Sequence, residues 1–354
     1  MATYLPFFMS LCISTATMPF IIKIAKKFSI YDKPDFKRKI HKSSIPLLGG
    51  VAIYLGFISA FLMFVRIDAR ITGFIITSFT IFIMGLLDDM YDIPARFKML
   101  IELGCALYIA ISIDRLDIGQ YLIKKDVFIA IFDIIISVLW IVGVINAINI
   151  VDGVDGLAGG LSAIVAIGFV IIGFISNNQL MVVLALSLLG SIIGFLFYNK
   201  NPARVFMGDA GSTFLGYILS ILSIMSVNTS NNKASIVAPI LILGVPLFDT
   251  GCAILRRFFS KKDIFSADND HIHHRLLNMG YSQKKTVYII CSISILFVAV
   301  GVIIYIGHYF TIGLSLILSL IILGIIMSLY ESHVKQSTAK REVATTSDST
   351  PIAK

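Results

Sequence analysis

The sequence predicts an all-α polytopic membrane protein, and three observations carry that expectation. Hydrophobic residues make up 57% of the 354, charged ones only 14%, and the mean hydropathy is +0.90, a combination outside the soluble classes. Apolar runs near the ~20 residues that a helix needs to cross the hydrocarbon core recur along the chain. Lys and Arg are shared very unequally between alternate connections. On a soluble chain the net charge of +8 would invite a nucleic-acid reading. Here the cations flank apolar runs and face lipid headgroups and anionic soluble molecules, so no nucleic-acid partner is expected.

About eleven transmembrane helices are expected, at 4–25, 48–65, 71–87, 97–113, 127–147, 157–176, 180–198, 211–227, 236–255, 287–306 and 310–330. The basic cluster Lys23, Lys26 and Lys27 follows the first run rather than preceding it, so that run reads as an anchor and not as a cleaved signal. With eleven spans the termini lie on opposite sides. One set of connections, counted with the C-terminal tail, carries 23 Lys and Arg and the other carries 6, which puts the N-terminus outside and the C-terminus in the cytoplasm. Helices in lipid form one body, so residues 1–330 read as a single transmembrane catalytic domain and 331–354, rich in Ser, Thr and Lys, as a disordered tail. Cys12, Cys105, Cys252 and Cys291 fall in apolar runs without metal-ligand spacing and read as small buried residues. No internal repeat is evident, which argues against an inverted-repeat transporter.

Five polar clusters fall on the cytoplasmic side and none on the other. Asn146-Ala-Ile-Asn149-Ile-Val-Asp152-Gly-Val-Asp155 stands between two membrane-length runs. On a helix the four polar groups would share one face, and carboxylates at such a junction must be hydrated, paired or bound. Asp88 and Asp89 end another run, with Asp92 a turn later; adjacent carboxylates are tolerable where Mg²⁺ or a hydrogen-bond donor lies beside them. In Asn199-Lys-Asn-Pro-Ala-Arg204-Val-Phe-Met-Gly-Asp209-Ala-Gly-Ser, Pro202 stops one helix and Ser212 is a candidate cap for the next. Asp209 then stands at a helix N-terminus, where carboxylate and backbone N–H groups together suit a metal–phosphate unit. His271-Ile-His273-His274-Arg275 offers imidazoles and a guanidinium for phosphate oxygens; zinc is disfavoured, because the other acids are hard ligands and no His-Glu-x-x-His is present. Lys42 precedes a Pro and the pair Gly49-Gly50 at the start of a run. Inside the runs sit Glu102 and Asp133, expected as interhelical hydrogen-bonding groups, and Asp249, three residues after Pro246, expected to mark a broken helix.

Taken in order, Asp88-Asp89, Asn149-x-x-Asp152-Gly-x-Asp155-Gly-Leu, Val205-Phe-Met-Gly-Asp209-x-Gly-Ser and the His-rich turn strongly resemble the polyprenyl-phosphate N-acetylhexosamine-1-phosphate transferases, from about Lys33 to Leu277. The resemblance implies a Mg²⁺-dependent enzyme, with Mn²⁺ as the alternative ion. Asp209 is then a metal ligand joined by Asp88, and Asp88, Asp89, Asp152 and Asp155 are catalytic or bind substrate. Lys42, Asn149, Asn199, Arg204, His271, His273, His274 and Arg275 would bind the donor. Phospho-MurNAc-pentapeptide transferases carry Asp-Asp-x-x-Lys and three consecutive histidines. Here the corresponding positions hold Asp92 and His-Ile-His-His-Arg, which resembles the GlcNAc-1-phosphate branch. That branch implies UDP-GlcNAc as donor, undecaprenyl phosphate as acceptor, and a multi-pass plasma-membrane protein, surrounded by membrane lipid, working at the cytoplasmic face; a homodimer is left open. Two other classes fit the residues less well. Intramembrane aspartyl proteases need glycine where Phe206 stands, and a proton-coupled transporter leaves the one-sided clusters unexplained.

Overall fold

The computed structural model describes residues 2–32, 45–119, 126–229, 232–259 and 270–327; Lys42 and the tail 331–354 lie outside them. The helices are α1 (Leu5–Lys27), α2 (Gly49–Phe64), α3 (Ala69–Tyr91), α4 (Ala95–Ser112), α5 (Asp126–Val151), α6 (Leu157–Ile175), α7 (Gln179–Asn199), α8 (Gly208–Asn228), α9 (Ala234–Ile242), α10 (Gly244–Phe259), α11 (Ile272–Asn278), α12 (Gln283–Gly307) and α13 (Phe310–Met327). The described strands are one antiparallel ladder, Tyr31–Asp32 with Ile45–Pro46.

Each of the eleven apolar stretches is helical over most of its described residues, but they are not eleven equal spans. Among the described residues eight helices are long and apolar enough to cross a membrane, or nine if α9 and α10 count as one. The α2 helix has only 16 residues, and α4 carries Arg96, Lys98 and Glu102. The stretch 236–255 is broken at Leu243, where α9 and α10 meet at 79°. Its two prolines, Pro239 and Pro246, each remove a backbone donor, so the break expected near Asp249 is present, one and a half turns before it.

The bundle is organised around α8, every residue of whose best membrane window is buried. Small residues let its neighbours approach closely: α3 and α5 pack along it most extensively, with α2, α6, α7 and α9 completing the wall. Its hydroxyls are satisfied inside the bundle. Ser220, Ser223 and Ser226 donate to carbonyls three residues back, Tyr217 shares a 2.6 Å hydrogen bond with Thr77 of α3, and Trp140 of α5 donates to Ser223 at 2.6 Å. At the far end of the bundle Asp133 accepts the Gly119 N–H at 2.7 Å and the Ile118 N–H at 3.2 Å, so its buried carboxylate ties the α4–α5 connection down. Glu102 bridges helices as expected, accepting from Asn146 of α5 at 2.7 Å.

Candidate active site

The ends of α3, α4, α5 and α8 converge on one place. Gly208 opens α8 with φ at +68°, and the space its missing Cβ leaves is filled by the Asp89 carboxylate, 2.3 Å from where that atom would stand. Asp89 accepts the backbone N–H of Asp209 at 2.7 Å and of Ala210 at 3.1 Å. The cap of α8 therefore comes from α3, and Ser212, expected to cap this run, instead donates back to the Gly208 carbonyl at 3.1 Å. A carboxylate at orphan N–H groups also meets the positive end of the helix dipole. Gly208→Ala imposes left-handed backbone on a residue with a Cβ, costing ~1–2 kcal/mol, and displaces Asp89 as well. A clear drop in detergent melting temperature together with lost activity is expected; a wild-type melting curve would refute this placement.

With Asp89 committed, Asp88 and Asp209 are the acids that face each other. The Lys98 ammonium lies between them, 2.7 Å from Asp88 Oδ2 and 3.0 Å from Asp209 Oδ2. The other Asp88 oxygen accepts the Ile93 N–H at 2.7 Å. Asn149 donates to Ser212 at 3.0 Å and its amide stands beside the Asp209 carboxylate. The Gly49-Gly50 pair closes the other flank. The Gly49 and Gly50 N–H groups donate to the Phe206 and Met207 carbonyls, each at 2.9 Å, and a Cβ on Gly50 would fall 2.3 Å from the Gly211 nitrogen.

The α5–α6 turn departs from expectation. The α5 helix ends at Val151, so Asn146 and Asn149 are helical while Asp152 and Asp155 lie in the turn beyond it, and the four do not share one helical face. Asp155 Oδ2 accepts from Asn201 at 3.0 Å and from the Ala203 N–H at 3.1 Å. Asn199 is 3% exposed; its amide accepts the Gly156 N–H at 2.9 Å and donates to the Val205 carbonyl at 2.8 Å. Both residues fasten the α5–α6 turn to the α7–α8 loop. Arg204 is exposed, its guanidinium 5.8 Å from the Tyr198 ring centroid.

The His-rich turn packs on the α5–α6 turn. A Cβ on Gly153 would fall 2.5 Å from His273 Nε2, so five residues of chain, Asn149 to Gly153, run from the side of Asp209 to the histidines. His273 is 2% exposed, and burial, reinforced by His274 and His271, lowers its pKa to about 4. It is a neutral packing ring near neutral pH. His271 and the partly exposed His274 and Arg275 complete the turn.

The acids fit a hard divalent ion. Among the described residues no group of three or more His, Cys, Asp or Glu is placed to hold a metal, but Asp88 and Asp209 bring oxygens to either side of one ammonium. Two carboxylates with the rest of the shell from water and phosphate is how Mg²⁺ is usually bound. Lys98 is a member of this cluster that the sequence does not single out, where it counts only toward the charge asymmetry. Its position ten residues after Asp88, at the start of the next helix, is the available signal.

Residues 71–227 match the profile of glycosyl transferase family 4. This chain is similar to the probable undecaprenyl-phosphate N-acetylglucosaminyl 1-phosphate transferase of Bacillus subtilis, with 39% identity over 293 residues and 82% of each chain covered. It is also similar to the undecaprenyl-phosphate alpha-N-acetylglucosaminyl 1-phosphate transferases of Thermotoga maritima, at 32% over 277 residues, 78% of this chain and 82% of the other, and of Escherichia coli K12, at 27% over 316 residues, 87% and 85%. The matched profile spans α3 to α8, the helices that assemble the carboxylates, and with such identity over four-fifths of its length the chain belongs to glycosyl transferase family 4, among the polyprenyl-phosphate N-acetylhexosamine-1-phosphate transferases.

Proposed function

We propose that the protein transfers GlcNAc-1-phosphate from UDP-GlcNAc to undecaprenyl phosphate, releasing UMP, as the first membrane step of a cell-envelope glycopolymer such as a teichoic-acid linkage unit or lipopolysaccharide. The observation that carries this reading is the meeting of Asp88 and Asp209 around Lys98 at the ends of membrane helices, where a lipid-borne phosphate and a soluble nucleotide can both arrive. The relatives' names supply undecaprenyl phosphate and the N-acetylglucosaminyl 1-phosphate group; UDP as the carrier of that group is what the family resemblance implies. The charge asymmetry supports a plasma-membrane protein with this site on the cytoplasmic face, where the nucleotide sugar is available.

In chemical terms a phosphate oxygen of the lipid attacks the phosphorus that bears the sugar, that phosphorus parts from the oxygen it shares with UMP, and UMP leaves with the bond's electron pair. The lipid phosphate has a second pKa near ~6, so at cytoplasmic pH it is largely a dianion and needs no strong base. What the chain must supply is alignment of two mutually repelling anions. Lys98 is placed to draw one phosphate toward Asp88. The partly exposed His274 and Arg275 offer donors to the diphosphate, and Asp89 holds the α8 N-terminus through the Asp209 and Ala210 N–H groups. Mg²⁺ or Mn²⁺ held by Asp88 and Asp209 would neutralise phosphate charge and stabilise the UMP leaving group. Lys42, outside the described residues, is retained as a nucleotide-contacting candidate, and Asn149 and Asp152 as groups beside the substrate.

The test is product chromatography from purified protein with labelled UDP-GlcNAc, undecaprenyl phosphate and Mg²⁺. A lipid-soluble labelled product and stoichiometric UMP are expected, both lost in excess EDTA and restored by Mg²⁺ or Mn²⁺. Full turnover in EDTA would sink the metal reading, and a product absent under all conditions would sink the substrate assignment.

A further inference from the structure

Asp249 has no part in the chemistry above, yet it is one of the most completely enclosed acids, 5% exposed in α10 just past the 79° bend. An enclosed carboxylate persists only when its oxygens are satisfied. Both are, and by the same short segment. Oδ1 accepts the Ile272 N–H at 2.9 Å, and Oδ2 meets His271 Nδ1 at 3.1 Å. Ile272 is the first residue of α11, and His271 in front of it has no side-chain cap of its own. A side chain more than twenty residues upstream therefore caps the His-rich turn and grips its first imidazole. Arg256 and Arg275 line the same cavity as Asp249, with Phe248, Cys252 and Met327. Ile272, Leu276 and Leu277 pack with Val151, Val154 and Val245, and the His271 ring lies parallel to His273 with centroids 6.0 Å apart.

The consequence concerns which nitrogen of His271 is offered to a substrate. A carboxylate can only accept, so Nδ1 carries the hydrogen of that bond and Nε2 is the nitrogen left over. We propose that Asp249 is a positioning residue: it fixes the ring plane and nitrogen assignment of His271, which is itself only 5% exposed, so that Nε2 is the nitrogen left for the nucleotide-sugar donor. The bend between α9 and α10 acquires a purpose from this. A straight helix from Ala234 would continue along the membrane, whereas the break at Leu243 swings Asp249 to the His-rich turn. The proposal rests on the reading of that turn as donor-binding.

The variants that separate the two are Asp249→Asn and His271→Gln, alone and together. Asparagine keeps the volume and one oxygen for the Ile272 N–H, but presents an NH₂ to Nδ1, which favours the opposite tautomer. Histidine ¹⁵N spectra of the purified protein are expected to show a protonated Nδ1 at His271 and its loss in Asp249→Asn, a readout independent of turnover. In the transfer assay each single variant should raise the donor KM about tenfold, the scale of one hydrogen bond to a charged group, while the undecaprenyl phosphate KM stays unchanged. The double variant should be no worse than His271→Gln. Additive losses in the double variant, or an unchanged Nδ1 signal in Asp249→Asn, would overturn the positioning role while leaving the donor reading intact. A normal donor KM in His271→Gln would overturn the donor reading of the turn and this assignment with it.

Discussion

Asp209→Asn is expected to remove nearly all turnover, at least about 10³-fold in kcat at saturating donor, with little change in folding. The reasoning separates the two ends of the residue. Its backbone N–H is held by Asp89 at 2.7 Å, and asparagine leaves that hydrogen bond untouched, so the first turn of α8 stays capped. Its side chain is where the loss falls. Oδ2 contributes half of the grip on Lys98 and, with Asp88, the charge that suits a divalent ion; a neutral amide halves that charge and keeps one weaker oxygen. Raising Mg²⁺ or donor should restore little, because the missing interaction is needed most as charge builds on the leaving phosphate. Steady-state rates beside detergent melting curves check this. A variant that melts normally and keeps a tenth or more of wild-type kcat would remove Asp209 from the centre of the reaction.

The parts of this site that were legible in the sequence are those whose cost is local. Acids at the ends of membrane-length runs are expensive wherever they stand, so Asp88, Asp89 and Asp209 announced themselves, and the break before Asp249 followed from Pro246. What was not legible is every decision made by a distant partner. Asp89 and Asp209 look alike as helix-end acids, but only the fold shows that one caps the other's helix. Ser212 has the chemistry of a cap and is displaced from the role by that carboxylate. Lys98 resembles an interfacial anchor until its two partners, ten and 111 residues away, are seen to flank it. Asn199 and Asp155 carry the polarity of substrate ligands, yet here they satisfy backbone groups of neighbouring turns. The helical face drawn through Asn146, Asn149, Asp152 and Asp155 failed at Val151, where the chain turns and Gly156 adopts φ of +78°.

Asp88→Asn separates positioning from base catalysis. In the folded protein neither Asp88 oxygen is idle: one accepts the Ile93 N–H at 2.7 Å and the other the Lys98 ammonium at 2.7 Å. A general base needs a lone pair directed at the proton it removes, whereas a carboxylate holding a backbone amide and an ammonium is arranged to place that ammonium. If the acceptor lipid already arrives as a dianion, the substitution should cost a large factor at every pH by loosening Lys98 and weakening the metal site. The residual rate should then rise with pH only as far as the lipid phosphate's own pKa of ~6 and level off above it. If Asp88 were the obligatory base, the residual rate would keep climbing with pH, because hydroxide would have to replace the missing carboxylate. The measurement is the Asp88→Asn rate between about pH 6 and pH 9 at saturating Mg²⁺, with the fold followed by detergent melting. A plateau supports positioning, and a rate that climbs steadily, or is negligible throughout in a normally melting protein, defeats it.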